Sequence, residues 1–441
     1  MREVVVVDGF RTPFCREGTD FRDTDADMLG AWVVREMVQR CRRWNLPLET
    51  IDCVLGSNVA TPTHAVNPTR VAAVTGGLSA SIPADTVSGK NCGSGVAALH
   101  FASLRIRSGD ADSVLVIGME AMSRIPIAYH PAVAGLLMEY GKAKGVRQRA
   151  AAALALFPKL LNLKKYPPRV GLIFGLTDPM CDLIMGSTAE NIAKDPAFGM
   201  TRQDQDAFAV RSHQSAARAW KAGLFADEVV PTFVPERSAY VERDNGIRED
   251  ASLETLRGVK PAFDRHYGSV TPANSSQITD AAAALLLMEK EKALALGLPI
   301  LGYLRDYADF GYEPSCMGLA PVGAISQLLR KTGLALKDFD LFEINEAFAA
   351  VVLGILRTLD SSALMEQKFG RFGLSGRVGE IPLDKLNPHG GAIALGHPVG
   401  VSGLRLAMTS LFELARRNAE RALIGGCVGG GQGVAMVLER R

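Results

Sequence analysis

Hydrophobic and polar positions alternate along this chain in two rhythms. Short apolar runs at 4–9 (VVVVDG), 52–57 (DCVLGS), 113–119 (SVLVIGM) and 283–290 (AALLLMEK) have the length expected of strands covered on both faces. Between them, the segments 27–41 (DMLGAWVVREMVQRC) and 94–109 (SGVAALHFASLRIRSG) carry apolar residues at helical spacing. Strand and helix signals that take turns in this way predict an α/β layered fold.

The pattern also repeats. Residues 94–119 align without a gap with 402–427 (SGLRLAMTSLFELARRNAERALIGGC): Ser-Gly, an apolar helix, a polar turn, then a strand ending in glycine. A weaker match pairs 51–58 (IDCVLGSN) with 339–346 (FDLFEINE). The two ends of the chain therefore read as copies of one α/β unit, with a cleft expected where their loops meet. The region between them, 124–257, is less regular. Within it, 129–169 has eight Lys/Arg and one acidic residue. This stretch reads as a solvated helical excursion or as a contact for phosphates or an acidic surface.

Composition narrows the function. With 441 residues there is room for two or three domains. A net charge of +2 is too small to suggest nucleic acid as a partner. The seven cysteines include no CxxC pair, so neither a metal site nor a disulfide framework is signalled, and their sparse, odd number fits a reducing compartment. The N-terminal MREVVVVDGFRTPF reads as a buried strand and not as a leader. Apolar runs such as Ala281 to Met288 fall far short of the roughly 20 residues of a membrane span. A soluble, cytoplasmic protein is expected.

Two cysteines stand in glycine. Cys92, in 88–109 (SGKNCGSGVAALHFASLRIRSG), precedes a predicted helix. Exposed N–H groups and the helix dipole at such a place favour a thiolate, the nucleophilic form. An inert thiol filling a gap is the other reading. His397, between Gly396 and Pro398 in 387–403 (NPHGGAIALGHPVGVSG), sits on a rigid loop and is of the type that activates a cysteine; an exposed loop histidine is the alternative. Asn345 and Glu346 fall where a strand meets a helix, placing Asn345 either at a cleft or as a helix cap. Cys427 opens a Gly-rich run that lacks dinucleotide-loop spacing and is followed by a strand (VAMVLER), so a phosphate loop is rejected.

Taken in order, CGSG (92–95), NEAF (345–348), GGAIALGHP (390–398) and CVGGG (427–431) resemble the thiolase family. The likeness continues through DGFRTPF (8–14), GMEAMSRIP (118–126), MGSTAEN (185–191) and VTPANSSQITDAA (270–282). It implies two similar α/β halves, 1–123 plus 258–295 and 296–441, interrupted by a loop domain at 124–257. It implies that Cys92 is the nucleophile that takes the acyl group, that His397 is its base, and that Cys427 is the acid/base for the acetyl-CoA carbanion and for incoming CoA. Asn345 would hold a water that, with His397, stabilises the thioester enolate, and the backbone N–H groups of Cys92 and Gly429 would form a second oxyanion hole. Ser276 would contact CoA and Met185 would line the acyl pocket. No permanent cofactor and no metal are implied, with coenzyme A as a substrate.

The expected activity is CoA-dependent cleavage of 3-ketoacyl-CoA. The alternatives are a biosynthetic acetoacetyl-CoA thiolase and a non-catalytic acyl-CoA or lipid carrier on the same fold. A ketoacyl synthase is disfavoured by Cys427. Three departures from the commoner pattern, His389, Ala281 and Ile184, bear on acyl-chain preference. Expected partners are CoA and acyl-CoA, a homodimer or homotetramer, and a membrane surface or a hydratase–dehydrogenase subunit through 129–169.

Overall fold

Nine strands and ten helices suffice to place the chemistry. They were located in a computed structural model that describes residues 2–441. The strands are β1 (Val4–Arg11), β2 (Cys53–Ser57), β3 (Ala84–Val87), β4 (Ser113–Ala121), β5 (Thr279–Glu289), β6 (Gly302–Gly311), β7 (Leu341–Ile344), β8 (Arg421–Val428) and β9 (Gln432–Glu439). The helices are α1 (Ala26–Arg43), α2 (Pro68–Thr75), α3 (Ser94–Ser108), α4 (Pro131–Lys142), α5 (Val146–Leu161), α6 (Met185–Lys194), α7 (Arg202–Lys221), α8 (Ala320–Thr332), α9 (Ala349–Leu359) and α10 (Ser402–Arg417). All four predicted strands and both predicted helices form, β5 beginning four residues earlier than its apolar run suggests.

The strands lie in the order β7-β8-β9-β6-β1-β5-β4-β2-β3. The repeat is visible in the pairing: β2 runs parallel to β4 as β7 runs parallel to β8, and β4 and β8 each pair antiparallel with their inner neighbour. The halves meet edge to edge where Val5 and Val6 of β1 pair with Tyr303 and Gly302 of β6.

Helices fill three layers. The helices α1 and α2 cover the outer face of the N-terminal strands, and α8 and α9 cover that of the C-terminal strands. The repeat-related α3 and α10 share the layer between, where Leu99 and Ile106 pack in one cluster with Leu404 and Leu411. Strands covered on both faces need no polar alternation, which is why every side chain of β4 and β5 is buried. The two inner helices cross at their first turns. A Cβ on Gly403 would lie 2.4 Å from the Val96 nitrogen, so only glycine permits this approach.

Residues between β4 and β5 leave the layers. The helix α7 opens with a Thr201–Asp204 capping box and packs on the C-terminal core. The helices α4 and α5 form a hairpin that packs mainly on itself. Along it Val146, Leu154, Phe157 and Leu161 are exposed. Among the described residues no helix is long and apolar enough to cross a membrane.

Candidate active site

A short turn, Asn91–Gly93, delivers Cys92 to the start of α3, as the sequence predicts. Asn91 takes the left-handed conformation (φ 44°), and its side chain donates to the Gly429 carbonyl at 3.0 Å. That bond ties the Cys92 turn to the glycine run after β8. The backbone N–H groups of Gly429 and of Cys92 itself lie close enough to the Cys92 sulfur to favour its thiolate form. The expected lowering of its pKa does not prevail. Burial pushes the Cys92 thiol up, the two amides pull it down by less, and Glu120 adds a further upward push. At rest Cys92 is a thiol.

His397 is buried, which excludes the exposed-loop reading. Its backbone N–H donates to Gln277 O and Thr279 Oγ1, both at 3.1 Å. The Ser402 hydroxyl donates its one proton to Pro398 O at 3.1 Å, so its oxygen accepts Nδ1–H of His397 at 2.6 Å. This network assigns the free lone pair to Nε2, where Asn345 Nδ2 lies at 3.4 Å. Burial, aided by the Arg405 charge, lowers the imidazole to about 4. The ring is therefore neutral at rest, with Nε2 unprotonated.

Asn345 does not cap a helix. The helix α9 starts at Ala349, with Phe348 at its cap position. Instead Asn345 continues β7, its N–H on Gly425 O at 2.8 Å, with its side chain on His397. Glu346 turns inward. It accepts from Ser212 Oγ at 2.5 Å, Asn387 Nδ2 at 2.8 Å and the Ile393 N–H at 3.3 Å. Its part is to anchor the loop that carries His397. His389 is accommodated by Glu413 at 2.7 Å; burial pushes that carboxyl up, but His389 and Arg417 bring it down to about 2.

Cys427 ends β8 fully buried beside Cys92, and burial pushes its thiol far up. Both cysteines, with His397, Ser276, Met185 and Phe348, line one cavity of about 740 Å³. Arg16 and Arg248 also border it. A second cavity of about 560 Å³ reaches Cys92, Met185 and Gly429 from another side, walled by Leu172, Phe174 and Met180. Every predicted site residue thus borders one of the two cavities or, for Asn345, touches His397. All seven cysteines are free, and no His/Cys/Asp/Glu cluster among the described residues could hold a metal.

Comparison with known families matches residues 4–291 to the thiolase N-terminal domain and 298–440 to the thiolase C-terminal domain. The chain belongs to the thiolase family. This thiolase is 38% identical over 443 residues to an acetyl-CoA acetyltransferase of Pseudomonas aeruginosa, covering 100% of both chains. It is 37% identical to a 3-ketoacyl-CoA thiolase of Yersinia pestis, covering 99% of this chain and 96% of the other. Its fold matches human mitochondrial 3-ketoacyl-CoA thiolase in complex with CoA at a TM-score of 0.83, with 31% identity over 100% of this chain and 98% of that one.

Sequence reasoning passed over three residues that hold this thiolase's site together: Asn91, Ser402 and Glu120. Ser402 had a signal, because it opens the second repeat as Ser94 opens the first. Glu120 had a weaker one, an acid at the end of an otherwise apolar strand.

Proposed function

We propose that this thiolase is an acyl-CoA:acetyl-CoA C-acyltransferase that cleaves 3-ketoacyl-CoA with coenzyme A. The observation that carries the reading is the meeting of Cys92, His397 and Cys427 on one cavity, two of them from one half and one from the other side of the repeat. His397 Nε2 takes the Cys92 proton, and the thiolate attacks the 3-keto carbon. The N–H groups of Cys92 and Gly429 hold the oxyanion. Collapse breaks the Cα–Cβ bond and leaves the acetyl-CoA enolate, stabilised by protonated His397 and a water on Asn345. Cys427 gives its proton to that carbon, and acetyl-CoA departs. Cys427 then takes the thiol proton of a second CoA, whose sulfur attacks the acyl-Cys92 thioester. The shortened acyl-CoA leaves, and protonated His397 returns its proton to the Cys92 sulfur, restoring both residues. Ser276 contacts CoA in the first cavity.

The degradative direction is favoured by the second cavity. Its apolar wall behind Cys92 has room for an acyl tail, with Met185 between the two spaces. Thiolysis rates should therefore be higher for 3-ketooctanoyl-CoA than for acetoacetyl-CoA. Turnover of acetoacetyl-CoA alone would favour the biosynthetic reading, and no turnover of any 3-ketoacyl-CoA would overturn the activity. The division into 1–123 plus 258–295, 124–257 and 296–441 belongs to the same proposal. So does assembly into a homodimer or homotetramer, supported by Phe101 and Leu104 left exposed on α3.

The α4–α5 hairpin is proposed to rest on an anionic lipid surface. Its exposed apolar residues stand among basic ones, and Glu139 is the one acid in 129–169. None of the eight basic residues there lines either cavity, which argues against a role in holding CoA. Changing Lys159, Lys164 and Lys165 together to Gln should leave the Michaelis constant for CoA unchanged. Co-sedimentation with phosphatidylserine vesicles should fall, each charge being worth about 1 kcal/mol. Undiminished vesicle binding would refute the lipid role, and a fall in capture of a hydratase–dehydrogenase subunit would point to a protein partner instead.

A further inference from the structure

Glu120, near the end of β4, is fully buried and faces the second cavity with Cys92. Its carboxylate accepts four hydrogen bonds from uncharged donors. Asn58 Nδ2 at 3.1 Å and the Ala60 N–H at 2.8 Å reach Oε1, while the Val59 N–H at 3.2 Å and the Gly400 N–H at 2.7 Å reach Oε2. No Arg, Lys or His is among its hydrogen-bond partners. Four donors fill both oxygens, so the group has no lone pair to offer a ligand. What it offers is grip and charge.

The grip crosses the molecule. Gly400 stands three residues after His397 on the loop of the C-terminal half, whereas Glu120, Asn58 and the Cys92 turn belong to the N-terminal half. Ser57 Oγ adds a bond to the Gly400 carbonyl at 2.5 Å, so the peptide is held on both sides. The charge acts across the cavity. The titratable groups that face Glu120 are Cys92, Asp178 on the cavity wall, and Asp280 of β5, whose carboxylate accepts the Ser123 N–H at 2.8 Å. All are acidic, and none offsets the Glu120 charge. Burial pushes the Glu120 carboxyl up to about 7, and its charge in turn raises Cys92.

We infer that Glu120 is a positioning residue: it fixes the His397 loop in register with the Cys92 turn. Its buried charge adds a smaller push to the burial that keeps the nucleophile protonated. The inference rests on the Cys92–His397 chemistry proposed above.

The test compares wild type, Glu120→Gln and Glu120→Asp. Alkylation of Cys92 by iodoacetamide is followed by peptide mass across pH, beside thiolysis kinetics. In Glu120→Gln the alkylation midpoint should fall as the charge is removed. Its kcat should drop on the order of 10- to 100-fold as the loop loses register, with the acyl-CoA KM changed much less. Glu120→Asp keeps the charge but shortens the reach, so kcat should drop with no shift of the midpoint. A midpoint that stays in place in Glu120→Gln overturns the electrostatic part. A wild-type kcat in Glu120→Asp overturns the positioning part, even if the Gln variant does not fold. Wild-type protein without thiolysis would refute the proposed activity instead, while the alkylation profiles still report on Glu120.

Discussion

Cys92→Ala reduces thiolysis to background, a loss expected on the order of a million-fold by analogy with removal of a covalent nucleophile. The size follows from the route: without the sulfur there is no acyl-enzyme, and the remaining groups have nothing to activate. The fold should tolerate the change, because Cys92 is half-buried in a turn whose geometry is set by Asn91 and the start of α3. The companion measurement uses the wild type. Incubation with a 3-ketoacyl-CoA in the absence of free CoA should leave an acyl adduct, and peptide mass should place it on Cys92. An adduct on Cys427, or on none of the seven cysteines, would refute the assignment of the nucleophile. At rest the thiol is held protonated by burial, so reaction depends on His397 accepting the proton while the Gly429 and Cys92 amides meet the new negative charge.

Cys427→Ala should fold, keep the alkylation of Cys92 by iodoacetamide, and lose about 100- to 10,000-fold in thiolysis. Burial and the neighbouring Cys92 both push the Cys427 thiol up, so it carries a proton throughout the neutral range. Such a group is a poor nucleophile at rest and a ready donor to a carbanion formed beside it. Alkylation separates this role from attack, because it needs Cys92 to ionise but needs no proton on carbon. Near wild-type turnover in Cys427→Ala would make the residue structural. Loss of alkylation together with turnover would mean that Cys427 supports the Cys92 turn.

Much of this site is legible in the chain because its key residues announce themselves locally. Cys92, His397 and Cys427 each sit in glycine, and the repeat that relates 94–119 to 402–427 foretells that two copies face one another. What is not legible depends on contacts between distant segments. The acidity of Cys92 is decided by burial, with the Gly429 amide and Glu120 from distant segments as lesser influences, and none of these is visible in a helix-start pattern. Asn345 has the look of a cap, but the helix begins four residues later and its amide turns to His397 instead. The second cavity owes much of its wall to 172–180, just beyond the 129–169 excursion whose composition suggested a solvated face or a contact for phosphates or an acidic surface.

The crossing of α3 over α10 at Gly95 and Gly403 has a consequence for how the molecule is assembled. Each inner helix has the strands of its own half on one side and its counterpart on another, so neither half closes a core without the other. Although the family models divide the chain between residues 291 and 298, that joint separates sequence and not cooperative units. Stability gained by docking the two inner helices also brings Cys92 and His397 to one cavity. The catalytic geometry is thereby a property of the completed fold, present in neither half as the chain emerges and available once both have condensed around the shared layer.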